Sequence, residues 1–276
     1  TTTDAQATLP ETYTSTGEDA GTHTFTASVT LRTAGSATVT VTDDAVGSIT
    51  GAQTVTVAPA AAATLVLAGI PEQSIAGVGY DLTITAKDPF GNVATGYGGS
   101  IQFSSTDPAA TIPAAYAFQP SDAGTRAFPA GVTFRTAGSQ SFTTTDAATP
   151  SITAVAPTNV AAGPATQLQF TAQPGDAIAG SPMTPAAVVT AYDAFGNQAS
   201  SFTGTVSTAI GTNPGGGVLS GTLQVAAVGG VATFSALTID QAGAGYTLVA
   251  SSAGLTSGTS EPFDVIAPAP VEVRWI

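Results

Sequence analysis

Two five-residue blocks carry residue types from which a binding site could be built: Asp88-Pro89-Phe90-Gly91-Asn92 and Asp193-Ala194-Phe195-Gly196-Asn197. A carboxylate and an amide four positions apart, in a loop at a strand end, could hold calcium through carboxylate, amide and carbonyl oxygens. Asp88, Asn92, Asp193 and Asn197 are therefore the candidate metal ligands. A calcium site usually gathers several carboxylates, and each block offers one. The competing expectation is a turn, in which Asp caps through its side chain, Gly91 and Gly196 supply positive φ, and Asn tolerates a left-handed backbone. The turn is the stronger expectation, and no cofactor other than calcium is suggested.

Few other residues could do chemistry. Glu18-Asp19 and Asp43-Asp44 are adjacent acidic pairs, but neighbours on a strand point to opposite faces and do not converge on one proton. They read as solvated loops. Ser-His-Asp catalysis would have to rest on His23, the single histidine, and thiol chemistry and zinc fingers are excluded because there is no cysteine. Lys87 could enter an isopeptide bond, but strand alternation turns it outward. Rows of threonine (Thr38, Thr40 and Thr42; Thr54 and Thr56) could present a flat binding face, but ordinary β-propensity on a solvated strand face is the stronger expectation. The expectation is a protein that is not an enzyme.

The 276 residues carry 18 acidic and 5 basic side chains, a formal balance of −13, so a phosphate backbone is an unsuitable partner. No apolar run reaches the length of a membrane-spanning helix. Thr1–Pro10 has neither a basic start nor an apolar stretch, so the sequence reads as a processed product or a cut segment. Scarce lysine beside abundant Thr, Ala, Gly and Asp suits an extracellular or cell-surface protein of a bacterium with a GC-rich genome.

Self-comparison shows what must position these residues. Residues 9–35 and 112–138 align without a gap. Asp19-Ala20-Gly21-Thr22 falls on Asp122-Ala123-Gly124-Thr125, and Arg32-Thr33-Ala34-Gly35 on Arg135-Thr136-Ala137-Gly138. His23 falls on Arg126, so that position takes a basic residue of either kind. The two Asp-x-Phe-Gly-Asn blocks supply a second match. The unit is about one hundred residues, the size of an immunoglobulin-type sandwich.

The local pattern is β throughout. Tyr80, Leu82, Ile84 and Ala86 share one face of a strand, and Val39, Val41, Val55 and Val57 are expected to point inward from two others. Phe90, Phe103, Phe118, Phe128, Phe134 and Phe142 are assigned to the core of the middle unit. Phe170, Phe195, Phe202, Phe234, Tyr246 and Phe263 are assigned to the core of the next. The predicted organisation is a partial unit at 1–58 matching only the second half of a repeat, complete domains at 59–160 and 161–266 (the latter divergent), and a strand-like tail at 267–276. Links at 58–63 and 156–165 are expected to be short and semi-rigid.

On these blocks the sequence resembles the tandem bacterial immunoglobulin-like repeats of large surface and secreted proteins, including invasin-like adhesins. The resemblance covers most of residues 1–266. It implies an all-β fold of tandem immunoglobulin-like sandwiches arranged as a rod, with a stalk, spacer or adhesive role and no catalysis. The leading reading is a structural spacer of an extracellular protein. Its partners would be neighbouring repeats, other copies of itself, or a receptor or glycan. An adhesin that binds a receptor or glycan, an accessory region of a secreted hydrolase and a self-assembling filament are the alternatives. The filament would form if a tail strand bearing Val271, Val273 and Trp275 were donated into the incomplete 1–58 unit.

Overall fold

The computed structural model describes residues 1–270. It is all-β apart from two single-turn 3-10 segments at Gly17–Asp19 and Pro120–Asp122. The assembly residues Val271, Val273 and Trp275 lie outside the described residues.

The first module contributes β1 (Gly35–Thr42) and β2 (Thr50–Val57), an antiparallel hairpin. The middle module contains β3 (Thr64–Ala68), β4 (Gln73–Ile75), β5 (Gly79–Lys87), β6 (Ser100–Ser105), β7 (Tyr116–Ala117), β8 (Thr125–Thr133), β9 (Gly138–Asp146) and β10 (Thr153–Ala161). One sheet has the order β3-β5-β8 and the other β4-β10-β9-β6-β7. β4 runs parallel to β10, and the other ladders are antiparallel. Two facing sheets with this division of strands are an immunoglobulin-type sandwich.

The third module repeats the plan with β11 (Gln167–Ala172), β12 (Ala177–Ile178), β13 (Ala187–Tyr192), β14 (Thr205–Ile210), β15 (Leu219–Ser220), β16 (Gln224–Ala226), β17 (Val231–Phe234), β18 (Thr238–Ile239), β19 (Gly243–Tyr246), β20 (Leu248–Ser251), β21 (Gly258–Thr259) and β22 (Phe263–Ile266). Its β11-β13-β17 sheet matches β3-β5-β8, and β12 runs parallel to β22 as β4 does to β10.

Alternation explains the cores. Leu82, Ile84 and Ala86 of β5 are fully buried; Leu82 clusters with Val132 of the neighbouring β8 and with Phe134 and Phe142, and Ile84 and Ala86 cluster with Ile101 and Phe118. Val189, Phe234, Leu237, Ile239, Tyr246 and Leu248 fill the third module. The buried apolar clusters fall within 65–160 and within 168–265, and none forms in residues 1–58.

The first module shows what a missing layer does. Val132 is fully buried beside β5, whereas its counterpart Val29 is 41% exposed. Phe25 is 42% exposed, although Phe128 in the same position is half-buried. Val41 and Val55, expected inward, are exposed because residues 1–58 contain no strand equivalent to β3 or β5 to lie over them. Tyr13, His23 and Phe25 instead cluster with one another, the Tyr13 and His23 rings stacking at 3.7 Å.

Two other expectations need correction. Residues 156–161 belong to β10 and are not part of a link. Phe90 and Phe195 are 38% and 43% exposed, because both stand at the ends of their modules rather than in the cores.

Candidate functional site: the joints between modules

Each Asp-x-Phe-Gly-Asn block follows directly on the central strand of its sheet, β5 or β13. Asp88 is buried, and its Oδ1 accepts the backbone N–H groups of Phe90 and Asn92, both at 2.9 Å. Its Oδ2 accepts the Asn92 side-chain amide at 2.8 Å and the N–H of Ala60, in the preceding link, at 2.9 Å. Asp193 does the same with Phe195, Asn197 and Gly163, at 2.8–2.9 Å. Gly91 and Gly196 have φ of 87° and 84°, the left-handed backbone that favours glycine.

Both carboxylates are thus satisfied by N–H donors on each oxygen. A calcium ion at Asp88, Asn92, Asp193 or Asn197 would have to displace them, and no group of three or more His, Cys, Asp or Glu occurs among the described residues. What the arrangement builds is a rigid turn that aims one asparagine outward.

That asparagine crosses to the preceding module. Asn92 donates from Nδ2 to the Arg32 carbonyl at 2.7 Å and accepts the Ala34 N–H at 2.9 Å. Asn197 makes the same pair with Arg135 and Ala137, at 2.7 and 2.9 Å. One amide therefore serves as donor and acceptor to a single backbone turn of its neighbour. The guanidinium of Arg32 lies over the Phe90 ring, 5.7 Å from its centre, and Arg135 lies over Phe195 at 5.8 Å. At the second joint Gly77 packs so tightly on Phe195 that an added Cβ would sit 2.5 Å from the ring.

The receiving turn is built by a second buried aspartate. Asp107 Oδ2 accepts the N–H groups of Arg135 (2.6 Å) and Thr136 (3.0 Å), and Oδ1 accepts Thr136 Oγ1 (2.7 Å) and the Ala109 N–H (2.9 Å). Asp4 repeats this on Arg32, Thr33 and Gln6. In both modules the aspartate precedes its arginine by 28 residues. The arginine side chain then donates to a carbonyl beside that aspartate, Gln6 or Ala109, at 2.6 Å.

The repeat of the Asp-Ala-Gly-Thr block has a separate local role. Asp19 accepts hydrogen bonds from Tyr13 and Thr16 and pairs with His23 at 3.0 Å; Asp122 accepts from Tyr116 and pairs with Arg126 at 3.4 Å. The basic residue thus closes a loop, and the carboxyl of Asp19 is lowered to about 2 chiefly by the Thr16 N–H and the His23 ring. Asp43 and Asp146 each cap a hairpin turn through two N–H groups. Lys87 lies in β5 between β3 and β8, on the side away from the core.

The joint residues Asp4, Asp107, Arg32 and Arg135, with Thr33 and Thr136, carry no role in the sequence reading. The signal that could have found them is the recurrence of Thr3-Asp4 as Thr106-Asp107, in step with the Arg-Thr-Ala-Gly repeat.

Burial pushes the pKa values of Asp88, Asp107 and Asp193 up, but the assembled donors outweigh it and hold all three below the ordinary value. A folded-state pKa below the unfolded one means that the native joint binds fewer protons than the unfolded chain. Its stabilisation is therefore complete above the ordinary carboxylate range of about 3.9 and is lost as pH falls through the lower folded values. The melting temperature is expected to stay level from about pH 7 to 5 and to drop below about pH 4. A level melting temperature down to about pH 2 would show that these carboxylates do not stabilise the fold.

Comparison with known proteins adds structural likenesses. No protein-family model matches the chain, nor does any curated protein. Among solved structures, the chain is similar to the adhesin FdeC of Escherichia coli, at 20% identity and a TM-score of 0.42, covering 88% of this chain and 76% of that one. It is also similar to domains 1–6 of the surface layer protein SbsC, at 21% identity and a TM-score of 0.33, covering 86% and 32%. A third likeness is to a family 2 glycosyl hydrolase of Bacteroides cellulosilyticus, at 8% identity and a TM-score of 0.32, covering 67% and 23%. The chain spans about three quarters of the first of these and under a third of the other two.

Proposed function

We propose that this chain is a non-catalytic spacer of an extracellular or cell-surface protein, whose joints hold successive immunoglobulin-like modules end to end. The observation that carries the reading is the position of the two joint halves on the middle module. Thr85 pairs with Thr125 at one end of β5, and Gly79 pairs with Thr133 at the other. Asp88 therefore leaves one end of the sheet and Arg135 the opposite end, about 27 Å away along a nine-residue strand. A module gripped at opposite ends by identical contacts propagates in one direction. The charge of −13 keeps such rods apart in solution.

Small-angle scattering tests this on the intact chain. The expected profile is that of an elongated particle, and Asn197→Ala is expected to broaden its distance distribution while leaving the melting of each module in place. A compact particle, or a profile indifferent to Asn197→Ala, would remove the basis for the proposal.

Self-assembly has one observation in its favour, the uncovered apolar face of residues 1–58 around Phe25, Val29, Val41 and Val55. A donated strand resembling β3 finds no ladder there, because β3 pairs only with β5, which the first module lacks. The tail would have to lie in the place of β5, along residues 22–30. Light scattering across concentration decides it: growth with concentration is the filament outcome, and a constant monomer mass ends that reading.

A further inference from the structure

The far end of the third module differs from the two ends that receive a joint. Its position is fixed by shared backbone contacts. Gly77 donates to the Phe134 carbonyl, and Gly180 donates to Ile239 in the same way, both at 2.8 Å. Asp240 therefore stands where the middle module has Arg135, and Gln241-Ala242-Gly243 stands where it has Thr136-Ala137-Gly138. The counterpart of Asp107-Pro108 is Asn213-Pro214.

None of these residues repeats the joint chemistry. Asn213 spends its side chain on Gly217, accepting its N–H at 2.8 Å and donating to its carbonyl at 2.9 Å. Asp240 accepts the Val218 N–H at 2.7 Å. Gly215 lies against the turn so closely that an added Cβ would be 2.4 Å from the Ala242 carbonyl oxygen. The loop 213–218 is thus folded onto the 240–243 turn, and the end is tied to itself. The position from which a guanidinium would lie over a phenylalanine ring holds a carboxylate instead. That carboxylate is held within its own module by the Val218 N–H and offers a phenylalanine ring no cation.

We infer that the joint is a matched pair that specifies module order: an Asp-x-Phe-Gly-Asn turn docks only on a module bearing the buried aspartate and Arg-Thr-Ala turn, and the far end of the third module refuses it. The variable residue of the turn, Pro89 or Ala194, is exposed and immaterial to the match. The third module can stand only as the last of a locked run, and whatever follows it is oriented by other means. This rests on reading the two joints as what aligns the modules.

The test uses the chain extended by a second copy of residues 161–266 placed after Ile266. Pairs of spin labels report the distance distribution across the native joint at Asn197 and across the new junction. The expected result is a narrow distribution at the first and one about twofold broader or more at the second, since relative motion is the default without a specific interface. The triple substitution Asn213→Asp, Asp240→Arg and Gln241→Thr is expected to narrow the second. Equal, narrow distributions in the unsubstituted extended chain would overturn the inference. Broad distributions at both junctions would instead overturn the joint reading beneath it.

Discussion

Phe142→Ala is expected to destabilise the middle module by about 3–5 kcal/mol, the usual cost of emptying a fully packed phenylalanine site. Phe142 is fully buried and stacks near Phe103, ring centres 5.6 Å apart, beneath the β5 layer. Truncation of its counterpart in the first module, Val39→Ala, is expected to cost about 1 kcal/mol or less, because Val39 is only partly covered and leaves little cavity behind. Denaturant titration of the two variants reads the contrast. Comparable losses would mean that residues 1–58 have a packed core of their own, contrary to the exposure of Phe25, Val29 and Val41.

Asp107→Ala is the second large effect. The substitution removes a buried acceptor of four hydrogen bonds and leaves the Arg135 and Thr136 N–H groups without their partner. The expected cost is about 3 kcal/mol, from donors stranded away from water. The consequence reaches past the middle module, since the turn that Asp107 holds is the one that Asn197 grips. Amide exchange should therefore accelerate at Ala137 and at Asn197 together. Asp107→Asn retains acceptor capacity on one oxygen only, and its stability is expected to fall between those of the unsubstituted chain and Asp107→Ala. Faster exchange confined to 107–137, with Asn197 unaffected, would show that turn and joint are not coupled.

Much of the fold is legible in the sequence. The alternation of Leu82, Ile84 and Ala86 fixes which face of β5 is buried, and two sheets follow from the unit length and its turn spacing. The register of the Arg-Thr-Ala-Gly blocks reads residues 1–58 as a half-repeat. What it means for Val41 and Val55 is not, because period-two alternation says which side a residue takes and not whether anything lies on that side.

Phe90 and Phe195 escape for a related reason. A phenylalanine beside a turn reads as core, and nothing within the five-residue block shows that its ring is met by an arginine about sixty residues earlier in the chain. The aspartate of each block reads correctly as a turn former. Its asparagine reads as tolerant of the turn, whereas its amide also makes the crossing to the neighbouring module. Contacts between modules have no period in the sequence, so only repeats compared with one another can expose them.

The links at Ala60 and Gly163 are clipped to Asp88 and Asp193, just where the chain passes from one module to the next. A pull on the two ends of the molecule must load these few side-chain clips in series with the sheets. They are expected to release first, each yielding a small length of slack and re-forming when tension falls. In the spacer proposed above, the modules are then expected to stay whole behind this slack, so that a tug is taken up before any sandwich is torn open.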